Sequence, residues 1–240
     1  MIKIQTLSFA YEKNIPVLKN ISFHANRGET IGLVGANGAG KSTLLKLLVG
    51  LELSYQGTIV IDNIALCKKN LPIIRQKMGY VFQDSNSQLF MTIVFDDVAF
   101  APRNYGLSSA EVDKRVHDAL RQVHILELKD KQTYKLSGGE KKLAAIATIL
   151  SMDPDIILMD EPSAALDPKN RRNLIHILNE LPQTKLIASH DLDFIADTCT
   201  RVLLLSHGEI VADGNACELL HDKKLLESNS LELPLSFHIE

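Results

Sequence analysis

Thr30-Ile-Gly-Leu-Val34 leads into Gly35-Ala-Asn-Gly-Ala-Gly-Lys41-Ser42-Thr43 and then into the apolar run Leu44-Leu-Lys-Leu-Leu-Val49. The spacing predicts a short buried strand, a glycine-rich turn and a helix start, the setting in which G-x-x-x-x-G-K-[ST] has a mechanism. Without a Cβ, the glycines at 35, 38 and 40 let the backbone of Gly35, Asn37, Gly38, Ala39 and Gly40 curl, so that its N–H groups face one concavity. That concavity lies at a helix N-terminus, where partial positive charge favours an anion. A triphosphate fits it. Lys41 is expected to reach the β- and γ-phosphates as a point charge, and Ser42 to take one magnesium position. A turn that merely joined strand to helix would leave the placement of the lysine and serine unexplained.

At 240 residues the chain is long enough for a full core, and 45% hydrophobic with 23% charged residues places it among soluble globular proteins. A net charge of -3 gives no general pull towards nucleic acid, so none is expected as a partner. Cys67, Cys199 and Cys217 are odd in number and lack metal-ligand spacing, which fits reduced thiols better than a disulfide framework. The start, Met1-Ile-Lys-Ile-Gln-Thr-Leu, does not read as a signal peptide, and no apolar run approaches the roughly 20 residues a bilayer span requires.

Residues 2–7, 21–25 and 58–61 run apolar or alternating over strand lengths, predicting a β-rich start. Tyr11 falls in the predicted turn after the first of these; it reads either as a packed turn residue or as a stack for a base. Met78-Gly-Tyr-Val-Phe82 predicts a strand ending in the polar loop Gln83-Asp-Ser-Asn-Ser-Gln88. The Gln83 amide can ligate a cation or orient water, although alone it reads as a solvated loop residue. Residues 88–135 change to helical periods, with Ser108-Ser-Ala-Glu111 as a capping box opening a helix that ends near His124. Their apolar opening, Leu89 to Phe100, is core in the main, and its exposed fraction would make a groove for a partner helix.

Lys135-Leu-Ser-Gly-Gly-Glu140 is a second glycine-rich helix start. Ser137, Gly138 and Gly139 form a second anion-ready site there, or a serine cap with a hinge. Ile156-Ile-Leu-Met159 predicts a buried strand that delivers Asp160 and Glu161 to its C-terminal end, where open parallel sheets bind ligands. Two jobs suggest themselves: Asp160 holding magnesium, largely through water, and Glu161 polarising an attacking water. Asp167 before Pro168 reads as a helix cap. His190 ends another core strand, where an imidazole could contact a γ-phosphate or position water. From about Asp222 periodicity fades, which predicts a short tail.

Together these pieces resemble the ATP-binding-cassette (ABC) ATPases over nearly the whole chain. Gly35 to Thr43 matches the Walker A motif, Gln83 the Q-loop, Leu136-Ser-Gly-Gly-Glu140 the signature, Ile156 to Glu161 Walker B, Ala165-Leu-Asp167 the D-loop and His190 the H-loop. Tyr11 falls at the adenine-stacking position. The resemblance implies an α/β P-loop NTPase fold in one domain: a RecA-like core with an antiparallel β subdomain over about 1–87 and 136–221, a helical insertion over about 88–135, and a tail at 222–240. It implies hydrolysis of ATP with Mg2+, and head-to-tail dimers in which Ser137, Gly139 and Asp167 of one protomer close on the nucleotide held by Tyr11, Lys41, Ser42, Gln83, Asp160, Glu161 and His190 of the other.

Val81 to Phe90, Asp96 to Pro102 and Gly106-Leu-Ser108 are similar to the ATPase subunits of energy-coupling-factor and cobalt/nickel importers. Transmembrane permease subunits, a second copy or a related ATPase as dimer partner, and a peripheral position on the cytoplasmic face of the membrane are what this likeness implies. Glu140 stands where the family usually has glutamine, Leu143 where arginine often follows, and Phe95 where that importer group tends to have an acid. An exporter cassette and a soluble cassette that moves nucleic acid are the rival readings.

Overall fold

The computed structural model describes residues 1–13 and 15–238. Strands β1 (Ile2–Glu12), β2 (Ile15–Ala25) and β3 (Thr30–Val34) precede helix α1 (Lys41–Leu48), followed by β4 (Gln56–Ile61), β5 (Ile64–Ala65), α2 (Leu71–Gln76) and β6 (Met78–Val81). Helices α3 (Val94–Asn104), α4 (Ser109–Gln122) and α5 (Gly138–Leu150) come next. Strand β7 (Ile156–Asp160), α6 (Pro168–Glu180), β8 (Thr184–Ala188), α7 (Leu192–Thr198), β9 (Arg201–Ser206), β10 (Glu209–Asn215), α8 (Ala216–His221) and α9 (Lys223–Ser228) complete the order.

Among the described residues the strands form an antiparallel sheet in the order β2-β1-β4-β5 and a larger sheet in the order β10-β9-β3-β8-β7-β6. From β9 to β6 the larger sheet is parallel, and every residue of β3, β7 and β8 is buried. Strands covered on both faces need continuous apolar runs, which is why the sequence offers Ile-Ile-Leu-Met and not an alternating pattern. Successive side chains part to opposite faces. Ile156 and Leu158 pack in the core shared with α1 and the antiparallel sheet, Ile157 and Met159 in the one shared with α5, α6 and α7. Gly32 lets α7 approach: a Cβ there would stand 2.6 Å from Ile195 Cγ2. This stacking brings the ends of β3, β6, β7 and β8 to one edge, where their loops meet.

The first strand runs past the predicted turn, and Tyr11 belongs to it. Thr6 has φ 50° and the pairing with β2 slips between Ile4 and Leu7, so the inward face passes from Ile2 and Ile4 to Leu7 and Phe9. Such a bulge resets a period-two pattern and hides its continuation. Ser108 does cap α4, accepting from the Glu111 N–H at 3.3 Å, but no box closes there because the Glu111 carboxylate pairs with Arg115. A reciprocal box forms at the start of α5, between Ser137 and Glu140.

The predicted tail is also corrected over its described part; residues 239–240 lie outside it. Leu226 is 1% exposed, and Leu231, Leu233 and Phe237 pack against the core. The N–H groups of Leu235 and Ser236 each donate to the Asp193 carboxylate at 2.9 Å. Helices of one to two turns are too short for a 3.6-residue period to register in sequence.

Candidate functional site

The loop after β3 wraps a cavity of about 410 Å3 at the C-terminal edge of the larger sheet. Gly40 sits there at φ +106°, and a Cβ on it would lie 2.6 Å from Leu18 of β2, so glycine is required by both backbone and packing. Lys41 follows at the first turn of α1, only 7% exposed, with Nζ donating to the carbonyls of Gly35 at 2.6 Å and Ala36 at 3.2 Å. Burial lowers its pKa, against the opposing pull of the Glu161 and Asp160 charges. No carboxylate makes an ion pair with it among the described residues. A desolvated, unpaired ammonium beside a helix N-terminus is chemically an anion receptor.

Ser42 Oγ donates to Asp160 Oδ1 at 2.9 Å, and Tyr80 Oη donates to Asp160 Oδ2 at 3.3 Å. Burial, then the Asp160 charge, pushes the Tyr80 phenol well above its usual range, so it stays a donor. Ser42 and Asp160 are hard oxygen donors of the kind that would hold a magnesium ion, which would supply charge neutralisation there. No group of three or more His, Cys, Asp or Glu able to hold a metal occurs among the described residues.

Glu161, directly after β7, has φ 47°, held by its N–H donating to Ala188 O at 2.8 Å. A left-handed glutamate is costly backbone and marks a place where side-chain direction matters. Its Oε2 accepts from Ser189 Oγ at 3.1 Å, His190 N at 3.3 Å and His190 Nδ1 at 2.8 Å. Because a carboxylate only accepts, Nδ1 carries the proton. Glu161 Oε1 has no hydrogen-bond partner among the described residues, and the side chain lines the cavity, so one carboxylate oxygen is anchored and the other is open.

Asn37, Gly38, Ala39, Gly40, Lys41, Ser42, Thr43, Gln83, Glu161 and His190 all line this cavity, as does Val17, which the sequence did not single out. Gly35 and Asp160 lie behind it through Lys41 and Ser42. Tyr11, 54% exposed, reaches Thr43 Oγ1 at 3.4 Å. Ser137, Gly138, Gly139 and Asp167 are not among the lining residues. They form a second cluster: a Cβ on Gly139 would strike Asn170, whose amide donates to the Asp167 carboxylate. Tyr80 and Ser189 are further residues that sequence reasoning passed over. Ser189 directly precedes His190 in sequence, whereas nothing distinguishes Tyr80 from a core strand residue.

A parallel sheet with a glycine-rich loop feeding a helix, and acids at the end of a neighbouring strand, defines a P-loop nucleoside triphosphatase. The family model described as ABC transporter matches residues 18–164. The energy-coupling factor transporter ATP-binding protein of Methanothermobacter thermautotrophicus is 41% identical, over 98% of this chain and 77% of that protein. The structure of cbiO1 from Clostridium perfringens, described as part of the ABC transporter complex cbiONQ, superposes with TM-score 0.86 at 36% identity, covering 99% of this chain and 97% of that one. A dimeric ATP-binding cassette in a post-hydrolysis state with ADP and Pi gives TM-score 0.79 at 28% identity, covering 90% and 99%. The chain belongs to the ABC transporter ATP-binding family and is an ATPase subunit of a transporter.

Proposed function

We propose that this chain drives uptake through an importer of energy-coupling-factor or cobalt/nickel type, sitting on the cytoplasmic face of the membrane against separate transmembrane subunits. Two protomers, identical or related, sandwich ATP head to tail. Lys41 and the loop N–H groups hold the phosphates, Tyr11 stacks on the base, and Ser42, Asp160 and Gln83 serve Mg2+, which when bound neutralises phosphate charge. Glu161 Oε1 takes the proton of the attacking water while His190 orients the γ-phosphate.

Gly138 supports the sandwich. It is exposed, has no left-handed φ, and an added Cβ would meet nothing within 4 Å, so nothing in its own chain demands glycine. A partner's phosphates closing on the start of α5, with Ser137, Gly139 and Asp167 beside it, supply the demand.

The observation that carries the transport reading is an apolar cleft of about 320 Å3 beside Gln83, lined by Phe82, Phe90 and Phe100. Phe90 is 63% exposed and packs edge-on against Phe100 at 4.8 Å. Among the described residues no helix is long and apolar enough to cross a membrane. An aromatic cleft next to the nucleotide fits a short helix of a membrane partner, which also carries solute recognition. Purified from membranes, the tagged chain is expected to bring down small transmembrane proteins, and Phe90→Asp to lose them while keeping its melting temperature within about 2 °C, as for other surface substitutions. A chain absent from membranes, or a Phe90→Asp variant that keeps its partners, defeats this reading.

A further inference from the structure

The structure assigns a positioning role to Lys142, which couples the Gln83 segment to the start of α5. Lys142 is 3% exposed, yet no carboxylate pairs with its ammonium among the described residues. Its Nζ donates instead to two backbone carbonyls, Phe82 O at 3.2 Å and Gln83 O at 2.9 Å. Burial lowers its pKa, with the charges of Asp84 and Asp160 acting the other way. Withdrawing an ammonium from water is unfavourable, and neutral donors would satisfy two carbonyls with less desolvation. What the lysine adds is two charge-assisted bonds from one point, which fix the end of β6 against a helix.

Neighbouring contacts repeat the link. Lys141 Nζ donates to Asn86 Oδ1 at 2.8 Å, and Gln88 Nε2 donates to Ala145 O at 2.7 Å and Thr148 Oγ1 at 2.9 Å. The segment from Phe82 to Gln88 is therefore stitched to α5 at three points, of which Lys142 is the buried one. Within the proposed sandwich, on which this inference rests, Gln83 faces the nucleotide held by its own chain and Ser137 faces the one held by the partner. A displacement at Gln83 is then carried by a rigid connection to the other nucleotide. Lys142 touches neither; it acts through the Gln83 backbone and the helix start, linking the two sites in free energy.

The test compares full-length wild type, Lys142→Met and Lys142→Arg by melting, ATP affinity and steady-state ATPase against ATP concentration. Methionine keeps the stem and removes a desolvated charge, so the melt is expected to stay cooperative and within a few degrees of wild type. The Kd for ATP stays within about twofold while kcat falls about tenfold, the equivalent of ~1.4 kcal/mol in the barrier, and the Hill coefficient drops towards one. Arginine, still a donor, recovers most of the loss. Loss of the cooperative melt in the methionine variant would show the ammonium to be holding the fold, and overturns the assignment. So does wild-type kcat with an unchanged Hill coefficient, or an arginine variant as slow as methionine. A Glu161→Gln control separates the premises. If it fails to dimerise with ATP, the sandwich and the coupling fall together; if it dimerises and Lys142→Met turns over normally, the coupling alone falls.

Discussion

Glu161→Gln is expected to bind ATP with wild-type affinity and to lose hydrolysis by about 10^2- to 10^4-fold in kcat, the usual contribution of a positioned general base. The geometry makes the substitution clean. Glutamine can present its amide oxygen to the three donors that now reach Oε2, from Ser189 Oγ, His190 N and His190 Nδ1. Its NH2 then occupies the open Oε1 position, where it cannot accept a proton. The φ of 47° remains, since both side chains meet the same backbone restriction. Phosphate release measured beside calorimetric ATP binding reads both halves. Retained turnover would mean that another group activates the water.

Lys41→Ala is expected to act on the opposite half of the cycle. The ammonium is buried, its bonds go to the carbonyls of Gly35 and Ala36, and its charge stands near two acids without pairing to either. Charge-assisted hydrogen bonds are worth about 1.5–3 kcal/mol each. Contacts to two phosphate oxygens then imply a Kd weakened by about 10^2- to 10^4-fold, since every ~1.4 kcal/mol is tenfold. Fold stability should fall by about 1–3 kcal/mol at most, because the substitution leaves the Gly35 carbonyl buried without its donor while relieving a desolvated charge. Unchanged ATP affinity in calorimetry would overturn the phosphate-cradle assignment.

Much of this site was legible because its residues stand at the ends of apolar runs. Lys41 follows a glycine loop, Asp160 and Glu161 end a strand buried at every position, and His190 ends another. Strand ends in a parallel sheet converge in space, so their order in sequence already implies a common edge. The hidden features lack that geometry. Tyr80 and Lys142 earn their roles from contacts 80 and 60 residues away in sequence, with Asp160 and Phe82. The capping box was expected at Ser108 and formed at Ser137, since S-x-x-E occurs at both and Arg115 draws Glu111 away from the first. Beyond the core, a bulge at Thr6 concealed half of β1, and one-turn helices concealed the folded C-terminal segment.

Glu140 and Leu143 also find their reasons in three dimensions. Lys131 Nζ lies 3.0 Å from both Glu140 oxygens, so the acid gains a partner that a glutamine would engage less strongly. Leu143 is buried in the core beneath α5, leaving Lys142 to reach the backbone ahead of it.

The joining of two protomers by ATP is the claim on which the rest depends, and Gly138→Val addresses it at a position where an added Cβ meets nothing within 4 Å in the isolated chain. Light scattering of the Glu161→Gln chain is expected to show monomer becoming dimer as ATP is added, and the Glu161→Gln, Gly138→Val chain is expected to remain monomeric with the same number of folded molecules. A Glu161→Gln chain that stays at monomer mass in saturating ATP, or a valine variant that dimerises as readily, would contradict the account.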